Sequence, residues 1–232
     1  MTNQNFSQRN KSFRKLFLKS NITFSNNPIN RLIGVQPEND KKILLKKLKD
    51  KISTISECKL KNNSNNIVFN DGNINSPIML IGEAPGQKED ELSKPFVGEA
   101  GSLLNKMLSA INLDRKDLYI TNVVNYRPPL NRKPDSNEIR RYSEFLLEHV
   151  DIINPKIIIL LGSTAMEAFF GSNLKISKER GIWKEMLIKD KTFLTMVTFH
   201  PAYLLRQNDQ KKYSWIDLKN IRNKIDELKI DI

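Results

Sequence analysis

One stretch constrains the fold more than any other. Ile78-Met79-Leu80-Ile81 runs into Gly82-Glu83-Ala84-Pro85-Gly86, an acidic loop follows, and then comes Pro95-Phe96-Val97-Gly98-Glu99-Ala100-Gly101. A short apolar run that stops at a Gly/Pro turn reads as a buried strand ending in a loop. Leu103, Leu104, Met107, Leu108 and Ile111 recur at helical spacing, so residues 99–112 are expected to form an amphipathic helix. Strand, carboxylate-bearing turn and helix make a unit that holds something at the carboxyl end of a strand.

Three further apolar runs, 118–124, 156–161 and 193–199, carry the strand signature, the second apolar enough to be buried on both faces. Helices are expected between and after them. Asp135 with Glu138 has the form of a capping box ahead of Ile139, Tyr142, Phe145 and Leu146. Residues 164–170 form a short helix, and 215–228 a last one with Leu218, Ile221, Ile225 and Leu228 on its buried face. Upstream, Ile43, Leu44, Leu45, Leu48 and Ile52 form a helical stripe, and Ile67-Val68-Phe69 a short strand before the turn Asp71-Gly72. Residues 172–190 carry little pattern, with a small extra hairpin around Gly181-Ile182-Trp183.

Strands alternating with helices imply an α/β fold, a three-layer αβα sandwich around a central, mainly parallel four-stranded sheet. The expected organisation is one domain over residues 41–232, preceded by a basic, flexible extension over 1–40 with one short helix near 13–18. Ligands in such sheets bind beyond the carboxyl ends of the strands. Gly82–Gly86, Asn122, Gly162-Ser163 and His200 all fall at those ends.

Charge and cysteine content narrow the function classes. The formal net charge is +12, and residues 1–37 hold six Lys or Arg and no acidic residue. A basic surplus favours polyanionic partners, nucleic acid before anionic membrane. The leader fits DNA contact, disorder or organellar targeting alike. Cys58 is the only cysteine, so no disulfide and no all-cysteine metal site can form within the chain. A reducing, cytoplasmic location is the expectation, nucleoid-associated in a bacterium. No apolar run reaches the ~20 residues of a membrane span.

Each strand-end residue has a bland and a chemical reading. Glu83 either caps the following turn or marks a turn whose N–H groups face an acceptor. Phe96 is either a core aromatic or a platform for base stacking, a contact of ~1–3 kcal/mol. Asn122, an amide in an apolar strand, needs partners when buried, and its position favours the edge of a pyrimidine. His200 before Pro201 can donate to an oxygen on which charge develops. With His149 placed on a helix, a two-histidine metal site is not expected. Arg127, Arg132 and Lys133 among prolines, and Arg206 beyond His200, are candidates for phosphate contact.

Assembled, these residues resemble the uracil-DNA glycosylase superfamily, nearest the family 4 type, over roughly residues 56–206. The resemblance rests on Gly82-Glu83-Ala84-Pro85-Gly86, Glu89-Asp90, Pro95-Phe96-Val97-Gly98-Glu99-Ala100-Gly101, Tyr119-Ile120-Thr121-Asn122-Val123-Val124, Arg127-Pro128-Pro129, Asn131-Arg132 and His200-Pro201-Ala202-Tyr203-Leu204-Leu205-Arg206 in order. It implies a monomeric, monofunctional enzyme that flips uracil out of DNA and hydrolyses its N-glycosidic bond. Phe96 would stack on the base, Asn122 read its edge and His200 stabilise the departing anion. Glu83 would orient water, and Gly82, Ala84, Pro85 and Gly86 would line the pocket. Leu204 or Leu205 would wedge into the vacated space, with Arg127, Arg132, Ser163 and Arg206 on the DNA. Family 4 enzymes hold an iron–sulfur cluster with four cysteines. Here those positions carry Ile55, Cys58, Tyr126 and Tyr142, so no cofactor is expected, and Tyr126 and Tyr142 are expected to pack with Cys58 as an apolar plug. A non-catalytic DNA-binding relative and a glycosylase for another deaminated base, such as hypoxanthine, stay open as alternatives.

Overall fold

The computed structural model describes residues 37–232, so the basic extension and the short helix expected near 13–18 lie outside the described residues up to residue 36. In chain order the elements are α1 (Pro37–Ser53), α2 (Lys59–Asn62), β1 (Asp71–Gly72), β2 (Ile78–Gly82), α3 (Gln87–Leu92), α4 (Glu99–Ser109), β3 (Tyr119–Asn122), α5 (Ser136–Ile153), β4 (Ile157–Leu161), α6 (Ser163–Phe170), α7 (Ile176–Glu179), β5 (Trp183–Ile188), β6 (Lys191–Thr198), α8 (Pro201–Arg206) and α9 (Lys211–Glu227). The capping box at α5 is present: the Asp135 carboxylate accepts from the N–H groups of Asn137 and Glu138, and Glu138 reaches back to the Asp135 N–H.

The sheet has six strands in the order β1-β3-β2-β4-β6-β5. Its four central strands are the expected parallel set, in register Gly82↔Asn122 between β2 and β3 and Leu161↔Thr198 between β4 and β6. The expectation of four strands is corrected at both edges. β5 pairs antiparallel with β6 through a tight turn at Lys189-Asp190, beyond the hairpin expected at 181–183. Lys189 takes the left-handed conformation there (φ +54°) without a glycine to announce it. On the other edge it is Asp71-Gly72 that ladders, antiparallel to β3. Residues 67–69 instead lie alongside as an extended segment. It is held by the Val68 N–H on the Asn125 carbonyl (2.8 Å), by the Asn125 amide on the Val68 carbonyl (3.0 Å) and by the Thr121 hydroxyl on the Phe69 carbonyl (2.6 Å).

Alternation along β4 separates the two cores. Ile158 and Leu160 join one cluster with Leu48 and Ile52 of α1, Tyr142, Leu146 and Val150 of α5 and Met166 of α6. Ile157, Ile159 and Leu161 join the other with Leu104 and Leu108 of α4, Leu204 of α8 and Ile221 and Ile225 of α9. Helices therefore cover both faces, the αβα arrangement expected. The α1 stripe is narrower than its sequence pattern. Leu45, Leu48 and Ile52 are buried while Ile43 and Leu44 are 52% and 44% exposed.

The four positions that the resemblance gives to cluster ligands gather beside α5. The Cys58 sulfur and the Tyr142 hydroxyl lie 3.4 Å apart and both residues are buried. Tyr126 is buried in the same core, against which Ile55 packs. Burial holds the Tyr142 hydroxyl far above the usual phenol range, with the Cys58 contact adding to it. One thiol and two phenols shielded from water do not fit a cluster that needs four thiolates. Replacing both Tyr126 and Tyr142 by Ala should cost more than ~3 kcal/mol of stability in a denaturant titration. An unchanged midpoint would show that the plug does not hold this corner.

Candidate active site

The strand ends open into one cleft of about 790 Å³. β2 delivers Glu83, Ala84, Pro85 and Gly86 to it, β3 Asn122, β4 Gly162 and Ser163, and β6 His200. Phe96, from the loop between α3 and α4, faces them.

The floor depends on an absent side chain. Gly82 and Asn122 are paired neighbours, and a Cβ on Gly82 would lie 2.4 Å from both Asn122 Oδ1 and the Phe96 ring. Only glycine lets the aromatic ring and the amide approach at that point. Asn122 is 3% exposed, and its Oδ1 has no hydrogen-bond partner among the described residues. A buried acceptor left unpaired costs ~1–3 kcal/mol, so the cleft is built for a donor that the chain does not supply.

Phe96 is held rather than merely packed. Its backbone is left-handed (φ +54°), a conformation that strains a bulky residue. The Arg115 guanidinium donates to the Phe96 carbonyl (2.8 Å) and the Pro95 carbonyl, and is itself paired with Asp71 (2.8 Å). One oxygen of Glu89 accepts from the N–H groups of Val97 (2.8 Å) and Gly98 (2.7 Å). A Cβ on Gly101 would fall 1.9 Å from the Phe96 oxygen, so α4 can start only with glycine there.

His200 lies beside the platform, its ring centroid 5.5 Å from that of Phe96. Its Nδ1 accepts the Ala202 N–H at 3.2 Å and so caps α8. Burial, helped by the positive charge of Arg206, lowers its pKa to about 4. At neutral pH the ring is uncharged, and with Nδ1 accepting, its proton sits on Nε2. Glu83 is aimed by the Thr164 hydroxyl, which donates to Oε2 from the first turn of α6. His149 is elsewhere: it stacks on Phe69 at 4.6 Å, its Nε2 shares a 2.5 Å hydrogen bond with the Tyr119 hydroxyl, and full burial lowers its pKa to about 3. Among the described residues no three His, Cys, Asp or Glu side chains come together as a metal site.

The basic candidates separate at the rim. Arg206, Arg132 and Lys133 line the cleft. Arg132 forks onto Glu138 with two 2.7 Å bonds and Lys133 reaches Glu167 at 3.3 Å, whereas Arg206 makes no ion pair among the described residues. Arg127 does not line the cleft; it donates to the Asn131 side chain at 2.7 Å. Ser163 is exposed at the start of α6. Of the two leucines expected to wedge, Leu204 is 1% exposed in the core and Leu205 39% exposed. The α8 helix thus turns Leu204 into the core, where the expectation had it exposed as a wedge, and leaves Leu205 as the accessible leucine of the pair.

Arg115, Glu89 and Thr164 were not singled out by sequence reasoning. Glu89 stands in the Glu89-Asp90 pair, where an acidic residue on a short helix carries no mark of its target. Arg115 sits in a charged turn, and Thr164 inside a helix start, with nothing local to signal a partner 19 or 81 residues away.

Known proteins share similarity with this sequence over most of its length. The family model described as "Uracil DNA glycosylase superfamily" matches residues 69–220. The "Type-4 uracil-DNA glycosylase" of Thermotoga maritima is 39% identical over 169 residues, 72% of this chain and 86% of that protein. The enzyme of the same name from Sulfurisphaera tokodaii is 40% identical over 186 residues, 77% and 83% of the two chains. A "Type-5 uracil-DNA glycosylase" of Pyrobaculum aerophilum is 29% identical over 42% of this chain.

The two histidines with lowered pKa give the fold a pH signature. A histidine with a depressed folded pKa takes up its proton first in the unfolded chain, so its stability contribution is complete above the unfolded pKa. That contribution is lost as pH falls from about 6.5 toward about 4 for His200 and about 3 for His149. Across about pH 4.5–6 the variant His200→Asn should lose ~1.4 kcal/mol per pH unit from the slope of stability against pH. Urea titrations at several pH values read this slope, and an unchanged slope would mean that His200 titrates normally in the folded protein.

Proposed function

The chain belongs to the uracil DNA glycosylase superfamily, and from that membership and the geometry of the cleft we propose that it removes uracil from DNA by hydrolysis of the N-glycosidic bond. The observation that carries the proposal is the unpaired Oδ1 of Asn122, buried against the Phe96 ring and opening to the cleft that His200 lines. An amide there accepts from the N3–H of uracil and donates to O4. Cytosine presents the opposite pattern on that edge.

A base inside a duplex cannot reach the cleft, so it is extruded at a cost of a few kcal/mol. Phe96 then stacks on it and Asn122 fixes its rotation. The C1′–N1 bond breaks, its electron pair leaves with uracil and positive charge develops on the sugar. The Nε2–H of neutral His200 donates to O2, where the negative charge collects. A neutral donor matches a weakly basic anion and keeps its hydrogen bond through the reaction. Glu83, aimed by Thr164, orients a water for attack at C1′ and opposes the sugar's positive charge. Water supplies the oxygen of the abasic product, and its proton ends on the released base or in solvent. Leu205 enters the vacated stack, while Arg206 and the start of α6 at Ser163 hold phosphates. Arg132, tied to Glu138, contributes to the field of the rim. The catalytic unit is a monomer that works without an iron–sulfur cluster, as a DNA-repair hydrolase.

The test is release of uracil from a labelled oligonucleotide, read as alkali-cleavable abasic sites. The parent protein should cleave, and Asn122→Ala and His200→Ala should each lose about 100-fold or more. DNA binding without abasic product would mark a non-catalytic relative. Faster release of hypoxanthine than of uracil would move the substrate to another deaminated base.

A further inference from the structure

Leu130 is 96% exposed, the most exposed of the large apolar side chains among the described residues. It stands at φ +54° and Asn131 follows at φ +56°. A glycine takes that conformation freely, whereas a leucine is strained in it. The loop around it is stiff. Pro128 and Pro129 precede it, the N–H groups of Asn131 and Arg132 close back onto the Pro128 and Pro129 carbonyls at 3.1 Å, and Arg127 braces the Asn131 side chain at 2.7 Å. Asn131, Arg132 and Lys133 line the cleft, so Leu130 stands at its lip among cations.

A single exposed leucine is ordinary on a surface. A leucine held out on a strained backbone, between prolines and beside a site for an extruded base, is not explained by anything it does in the folded chain. We propose that Leu130 is a second DNA-insertion residue, entering the base stack of a duplex next to the extruded nucleotide while Leu205 works from α8. This rests on the glycosylase reading of the cleft. An apolar side chain that unstacks a base step opens the duplex locally. Arg127, which makes no ion pair among the described residues, favours approach of the phosphates beside the paired Arg132 and Lys133, and the preset loop spares the ordering that a flexible one would need on binding. A single strand has no stack to open, so the contribution belongs to duplex substrate.

The experiment uses the full chain with Leu130→Ala and Leu130→Gly, on matched single-stranded and duplex oligonucleotides carrying one uracil with 2-aminopurine beside it. In both variants the ratio of duplex to single-strand release should fall about tenfold. The rise in 2-aminopurine fluorescence on binding duplex should shrink in both. Leu130→Gly should melt at a higher temperature than the parent because the strain is relieved, which separates lost insertion from lost folding. An unchanged ratio, or equal loss on both substrates, would overturn the proposal. A parent that releases no uracil from either substrate would defeat the glycosylase reading instead. The fluorescence comparison would then still decide whether Leu130 opens the stack.

Discussion

The site depends on one missing methyl group. Gly82 ends β2 where the Phe96 ring and the Asn122 amide converge, and any side chain there would stand 2.4 Å from both. The rest of the pocket follows from keeping those two groups in place. Phe96 sits in a left-handed conformation that Arg115, Glu89 and the close approach of Gly101 over-determine. Asn122 sits at a strand end fixed by the parallel ladder. Strain and an unpaired acceptor both lie on these residues, and the six-stranded sheet with its two cores supplies the stability that sustains them.

The electrostatics of the cleft has the same logic. Burial keeps His200 neutral, and the backbone of α8 fixes which nitrogen holds the proton. Glu83 is oriented by a hydroxyl and not by a cation, so its charge is free to act on the cleft. In the proposed reaction these two groups address opposite ends of the bond that breaks. The corner that a cluster would occupy in family 4 is filled by Cys58, Tyr126 and Tyr142, within the core on the α5 face of the sheet. Those side chains close the corner by packing, and one thiol with two phenols does not supply the four thiolates that a cluster needs.

Much of this was legible in the sequence. The four parallel strands showed as apolar runs, and their ends, at Gly82, Asn122, Gly162 and His200, carried residues that a core does not need. The Asp135–Glu138 box announced α5 through local hydrogen bonds that depend on spacing alone. What escaped was set by distance or by backbone. Arg115 and Thr164 act on residues remote in the chain. The β5–β6 hairpin turns at Lys189-Asp190, where a lysine takes a conformation usually marked by glycine. Leu204 and Leu205 are adjacent apolar residues, and only the rotation of a six-residue helix decides which is buried.

The most direct measurement is a crystal structure of the protein with free uracil in the cleft. The account requires the base to lie on Phe96, with its N3–H donated to Asn122 Oδ1 and its O2 facing His200 Nε2. Uracil bound elsewhere, or a cleft in which Asn122 Oδ1 turns to another protein group and leaves no room for a base, would contradict it.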